Sequence, residues 1–215
     1  MAAPVQPSED RAEDLEIERE RQARVQSALY RIAETASAAH DMGEFYASIH
    51  AIVGELMYAE NFYVALYDED RQRVSYPFHV DELDEEWPAP NVWDEMGSGQ
   101  ATGTTAWLFR TGHPALLDNA ALHALIDSGE VAVLGVESVD WLGVPLKVGG
   151  RTIGAVVTQS YSEAHRHTRQ DLDLLTFVGG TLDQLYWTSG EYARAVESAR
   201  WQLRIAEHEI GRAHV

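Results

Sequence analysis

The chain has 215 residues, 45% of them hydrophobic, and carries 35 acidic against 16 basic side chains for a formal charge of −19. That length suits one domain with extensions, and that apolar share supports a real core, which excludes global disorder. The absence of cysteine rules out disulfides, thiolate metal sites, a cysteine nucleophile and a thioether-linked chromophore, and the acidic surface repels nucleic acid and anionic lipid. No apolar run reaches membrane-span length and the first residues lack a secretory leader pattern, so no membrane insertion and a cytoplasmic protein are expected.

Residues 1–14, with Pro4, Pro7 and Ser8 among charges, read as a disordered tail. Over 15–40 a heptad series follows: Leu15, Glu18, Gln22, Val25, Leu29, Ile32, Ala36 and Ala39 alternate spacings of three and four. It predicts an N-terminal coiled-coil helix that packs well from Val25. Asp41 is a candidate cap for a second helix with Phe45, Ile49, Ile52, Val53, Leu56 and Met57 on one face.

The aromatic and branched run Asn61–Asp68 predicts a strand, returned by Gln72–Val80 as a hairpin. Asp81–Glu95 then carries seven acidic residues, no basic ones, two prolines, Trp87 and Trp93. The tryptophans favour a lid over a purely solvated loop. Thr102–Arg110 has helical character and ends at Gly112, a candidate C-cap. Pro114–Leu117 is expected as a short strand, Ala120–Ile126 as a short helix and Gly129–Val139 as a connector.

Asp140–Lys147 and Arg151–Tyr161 are two apolar runs around Val148-Gly149-Gly150, a hairpin signal. Pro145 must sit where no ladder donor is needed, and Gly143 and Gly154 leave room for a ligand or another backbone to come close. Thr168 is a candidate cap for the last helix, with Asp171 as the capping-box acid. Leu175, Val178, Leu182, Leu185, Ser189, Tyr192, Val196, Ala199, Leu203 and Ala206 keep a 3,4 alternation, which predicts a coiled-coil seam. Gly179 and Gly180, each costing about 1 kcal/mol relative to Ala in a helix, predict a weak point there.

No catalytic or metal site is expected. His165 and His167 stand two apart, but Arg166 and Arg169 beside them repel a cation. Ser160 has no nucleophile elbow, Asp81–Glu86 lacks EF-hand spacing, and Gly97-Ser98-Gly99-Gln100 has no following Lys. The candidate ligand-binding residues are Phe62, Val64, Tyr76, Phe78, Trp93, Trp107, Trp141, Val156 and Gln159, mostly apolar walls with an orienting amide.

The order of elements resembles a GAF domain, an α/β (α+β) sensory module. The resemblance is carried by Phe62–Asp68, Gly103–Pro114, Trp141–Leu146, Gly150–Gly154 and Asp171–Leu175, and spans roughly 25–186. It implies an antiparallel sheet between terminal helices and a ligand cavity covered by loops and short helices. It is closest to bacterial modules preceding GGDEF diguanylate cyclase or histidine kinase domains, in which the final helix carries the signal onward. The Asn-Lys…Phe…Asp-Glu arrangement of the cyclic-nucleotide subgroup is missing. The resemblance also relates the chain to free methionine sulfoxide reductases and bilin carriers, both of which use cysteines missing here. No cofactor is identified.

The resulting division is a tail over 1–14, a coiled-coil helix over 15–40, a GAF core over 41–186, a signalling helix over 187–208 and an artefactual tail over 209–215. Glu209–Val215 resembles sequencing-adapter read-through, GAG ATC GGA AGA GCA CAC GTC, so an output domain is expected beyond it. Two functions stay open: a non-catalytic small-molecule sensor, homodimeric through its terminal helices, and a structural dimerisation spacer whose cavity its own side chains fill.

Overall fold

The computed structural model describes residues 9–38, 42–83, 87–90, 92–96, 103–132 and 135–189. Helices α1 (Glu9–Ala38) and α2 (Met42–Gly54) lead into strands β1 (Asn61–Asp68) and β2 (Arg73–Val80). A two-residue strand β3 (Asp94–Glu95) follows, then helix α3 (Thr104–Thr111), strand β4 (Ala115–Asp118) and helix α4 (Asn119–Asp127). The second hairpin, β5 (Asp140–Val148) and β6 (Arg151–Ser160), precedes helix α5 (Arg169–Ser189). No helix among the described residues is long and apolar enough to cross a membrane.

Local chemistry sets most of these boundaries. Gly149 and Gly150 turn the second hairpin at φ of 59° and 84°, a region open to glycine at no steric cost. Gly112 ends α3 in the left-handed conformation, its N–H donating to the Leu108 carbonyl at 2.8 Å. At the start of α5 the Thr168 N–H donates to the Asp171 carboxylate at 2.7 Å and the Asp171 N–H donates back to the Thr168 hydroxyl at 3.3 Å, the reciprocal bonds of a capping box. Two expectations shift. Helix α1 begins at Glu9, inside the expected tail, because no helix breaker separates Pro7 from Leu15; β3 emerges from the expected loop by pairing with Arg73 and Val74. Asp41, the expected cap of α2, lies outside the described residues.

The strands make one antiparallel six-stranded sheet in the order β3-β2-β1-β6-β5-β4. Successive side chains point to opposite faces. Phe62, Val64, Leu66, Leu142, Val144, Leu146 and Val156 take one face, beneath α1, α2 and α5, where they pack with Ile32, Ile49, Val53, Leu175 and Val178. Tyr63, Ala65, Tyr67, Trp141, Ala155 and Val157 take the other, against Leu108 and Phe109 of α3. Strand β2 changes parity midway. Val64 pairs with Phe78 but Leu66 pairs with Ser75, so β2 holds an extra residue, a bulge beside Tyr76-Pro77. Proline, with no ladder donor to lose, suits that position. Tyr76 consequently stays on the α3 side while Phe78 joins the helix side.

Of the heptad residues whose burial is described, Leu15, Glu18 and Gln22 at the start of α1 are exposed, whereas the later ones of α1 and those of α5 serve this core. Ile32 is buried, Val25 and Leu29 pack against the same cluster, and Leu175, Val178 and Leu182 are buried. Over two turns a 3.5 and a 3.6 repeat cannot be told apart, and the sheet face needed covering. The residues of the seam from Leu185 onward lie outside those whose side chains are described.

Helix α5 runs unbroken through Gly179 and Gly180, and the two glycines differ. A Cβ on Gly179 would stand 2.8 Å from Val144 Cγ1, whereas one on Gly180 would meet nothing within 4 Å. Gly179 thus lets α5 sit close on β5. Gly180→Ala is expected to stabilise by about 1 kcal/mol through helix propensity. Gly179→Ala is expected to destabilise, because overpacking against a stiff valine costs about 1–3 kcal/mol. Chemical denaturation of both variants checks the assignment, together with a cycle in which Gly179→Ala should cost nothing further in a Val144→Ala background.

Candidate functional site

A cavity of about 460 Å³ lies on the α3 side of the sheet. Tyr63, Val74, Tyr76, Trp141 and Gln159 form its sheet wall. Gly103, Thr104, Thr105 and Phe109 of the α3 segment and Leu122 and Ile126 of α4 form the opposite wall, and Trp87, Pro88 and Met96 cover one side. Asp94, Glu95, Val131, Ala132 and the 135–138 segment also line it. Its size falls within the range of small-molecule sites, about 300–1,000 Å³.

The floor is a chain of neutral hydroxyls. The Trp141 indole N–H donates to the Tyr63 hydroxyl at 3.1 Å, and Tyr63 bonds to the Thr105 hydroxyl at 2.8 Å. Burial pushes both the Tyr63 and Tyr76 phenols above their ordinary pKa, so neither ionises near neutral pH. Trp141 fits because Gly143 lies beneath it: a Cβ there would stand within 2.2 Å of the indole.

Gln159 closes one end. Its amide nitrogen donates to Asp81 at 3.0 Å and to the Tyr161 hydroxyl at 2.7 Å, which leaves the amide oxygen with no hydrogen-bond partner among the described residues. The covering segment is anchored nearby: the Glu82 N–H donates to the Asn61 side-chain oxygen at 2.8 Å, and the Asn61 amide donates to Glu82 at 3.1 Å. Tyr58 donates to Glu82 at 2.6 Å; burial first, then that bond, raises its pKa to about 12. Farther along the same segment, the Trp87 ring lies flat on His79, 4.8 Å between centroids and 9° between planes. Burial lowers the His79 pKa, so the imidazole is neutral at pH 7.

Of the nine candidate residues, the cavity takes Tyr76, Trp141 and Gln159. Phe62, Val64, Phe78 and Val156 lie on the other face of the sheet, packed under the helices; alternation along β1 and β6 and the bulge in β2 put them there. Trp93 packs against that helix-side cluster with the Arg73 guanidinium 5.3 Å above its ring. Trp107 sits on α3 with its indole N–H donating to Glu130 at 3.3 Å, away from the cavity. Tyr63 and Trp87 line the cavity too; Trp87 belongs to the segment expected as a lid, and Tyr63 follows from Trp141 once β1 and β5 are known to flank β6.

The two histidines of the 162–168 segment have structural partners. His165 stacks on Tyr58 at 4.6 Å. His167 is buried, its ring bonded to Asp140 on one side and to the Tyr58 carbonyl, at 2.9 Å, on the other. Among the described residues no group of acidic side chains and histidines could hold a metal ion.

Solved structures share this architecture. The chain is similar to the GAF domain of a phosphoenolpyruvate-protein phosphotransferase from Acinetobacter at 17% identity and a TM-score of 0.59, over 77% of this chain and 94% of that one. It is similar to free methionine-R-sulfoxide reductase from Neisseria meningitidis, in complex with its substrate, at 16% identity and a TM-score of 0.59, over 78% and 90%. It is also similar to residues 122 to 287 of a methyl-accepting chemotaxis protein at 15% identity and a TM-score of 0.55, over 75% and 97%. At these identities the likeness is one of fold. No curated protein matches the sequence. The sequence itself matches the GAF domain family over residues 39–185, well over half the chain, and the protein belongs to that family.

Proposed function

We propose that this chain is a non-catalytic small-molecule-sensing module of a bacterial signal-transduction protein, and that occupancy of the cavity is passed through α5 to an output domain, a diguanylate cyclase or histidine kinase. The observation that carries the reading is the cavity itself, about 460 Å³ and lined by aromatic rings and a few polar groups. The alternative of a spacer filled by its own tryptophans is disfavoured by that volume. Reductase chemistry of the cysteine-dependent kind has no support, since the chain has no cysteine. Within the proposal, 41–186 is the sensory core and 187–208 the signalling helix.

The module is proposed to work as a homodimer. With Ile32, Leu175, Val178 and Leu182 taken by the core, pairing would use the outer faces of the terminal helices, where Leu15 and Tyr30 of α1 are 61% and 71% exposed and Phe177 of α5 is 56% exposed. A ligand drives such a switch only through different affinities for two helix arrangements. A thermal-shift screen of small molecules tests the sensing claim: a ligand at about 100 times its Kd adds about 2.7 kcal/mol of stability. A library with no stabilising compound would overturn it. Sedimentation of the wild type against Tyr30→Glu combined with Phe177→Glu tests pairing, which fails if the wild type stays monomeric at high concentration.

A further inference from the structure

We infer that the cavity is built for an organic ammonium ion: a cationic amine with an aromatic or alkyl body. The inference rests on the sensing reading above and concerns the same cavity.

Aromatic faces come first. Tyr63, Tyr76 and Trp87 stand mutually 5.1 to 5.8 Å apart by ring centroid, and all three line the cavity with Trp141. The negative faces of such rings attract a desolvated cation.

Charge points the same way. Asp94, Glu95 and Glu137 line the cavity, and among the described residues no Lys, Arg or His does. Glu137 is shared with Asn119 and His123, at 3.2 and 3.1 Å, whereas Asp94 and Glu95 have no ion pair among the described residues. His79, behind Trp87, is kept neutral by its burial. The chain's −19 charge draws cations toward the mouth from a distance.

The unengaged polar groups can accept from an N–H. Ser138 is only 5% exposed and lines the cavity, yet its hydroxyl has no hydrogen-bond partner among the described residues. The Gln159 amide oxygen is in the same position, its nitrogen being held by Asp81 and Tyr161. Two features of opposite sign are present: the buried Trp87 indole N–H, which has no hydrogen-bond partner among the described residues, and the start of α3, where Gly103 caps the helix without a side-chain bond. A helix N-terminus is worth roughly half a positive charge, which three carboxylates outweigh; it suits a carbonyl or hydroxyl oxygen elsewhere on the ligand. An anion would enter a site with three like charges and no cation to meet it.

The test is titration of the full chain, followed by tryptophan fluorescence and melting temperature, with phenethylamine, benzyltrimethylammonium, 2-phenylethanol and 3-phenylpropionate. Both ammonium probes are expected to bind at least about tenfold tighter than the alcohol, with the carboxylate weakest and the ammonium affinity falling as salt rises. Asp94→Asn combined with Glu95→Gln, both at exposed positions, is expected to weaken the ammonium probes about tenfold and leave 2-phenylethanol unchanged. Equal or tighter binding of the alcohol, or tightest binding of the carboxylate, would overturn the inference and leave the sensing reading intact. Binding by none of the four also overturns it, and sensing itself falls only if the broad library is silent too.

Discussion

Asp140→Ala is expected to destabilise the protein by about 3–5 kcal/mol, the loss seen when one partner of a buried charged pair is removed. Asp140 is 2% exposed and accepts both the His167 backbone N–H, at 2.8 Å, and the His167 ring Nδ1. The other ring nitrogen faces the Tyr58 carbonyl at 2.9 Å, so acceptors flank both nitrogens and the imidazolium is the form that satisfies them. Burial opposes that charge, but the Asp140 bond and then the Tyr58 carbonyl outweigh it, and the pKa of His167 is raised. The pair ties the first residue of β5 to the segment before α5 and to the turn before β1. A raised imidazole contributes stability that is fully present below the unfolded value of about 6.5 and is lost as pH climbs through the folded value. The stability gap between the wild type and His167→Gln should therefore be widest near pH 6 and narrow toward pH 9. A gap that stays constant over that range in urea denaturation would show a neutral ring.

The sheet, the caps and the turns could be read from the chain because each depends on neighbours in sequence. Gly149-Gly150, Gly112 and the Thr168–Asp171 pair act over four residues or fewer, and their chemistry has one reading. The cavity depends on which face of which strand meets α3, and that is decided by pairing over long separations. Trp141 and Gln159 share a face because they stand opposite each other in the β5–β6 register, and Tyr76 joins them only because the bulge beside Pro77 holds it there. Phe62 carries the same aromatic signature as Tyr63, yet alternation sends it and Val64 to the helices. The neighbours of His167 in sequence give no sign of its burial, since its partner Asp140 stands twenty-seven residues earlier. The heptads carry a related ambiguity: the local pattern is real, but an apolar stripe does not say whether it meets a partner subunit or, as for Ile32, Leu175 and Val178, its own sheet.

Trp141→Ala is expected to cost about 3–5 kcal/mol, the range for truncating a buried aromatic, and to enlarge the cavity on its sheet side. The indole is 2% exposed, belongs to the α3-side core and donates to Tyr63, so its loss removes packing and one hydrogen bond together. Gly143 makes the sharper test. Any Cβ at that position collides with the ring, at 2.2 Å from Cη2 and 2.5 Å from Cζ3, so Gly143→Ala should force the indole out of place at a cost of about 1–3 kcal/mol. In the Trp141→Ala background the obstacle is gone, and the same alanine should cost nothing. The predicted coupling between the two positions is about 1–3 kcal/mol by double-mutant cycle. If Gly143→Ala costs the same with and without the indole, the glycine serves the backbone rather than the wall. The displaced ring in Gly143→Ala should also weaken every ligand that uses the cavity, charged or neutral, whereas the carboxylate variants weaken the cations alone; that contrast separates the shape of the site from its charge.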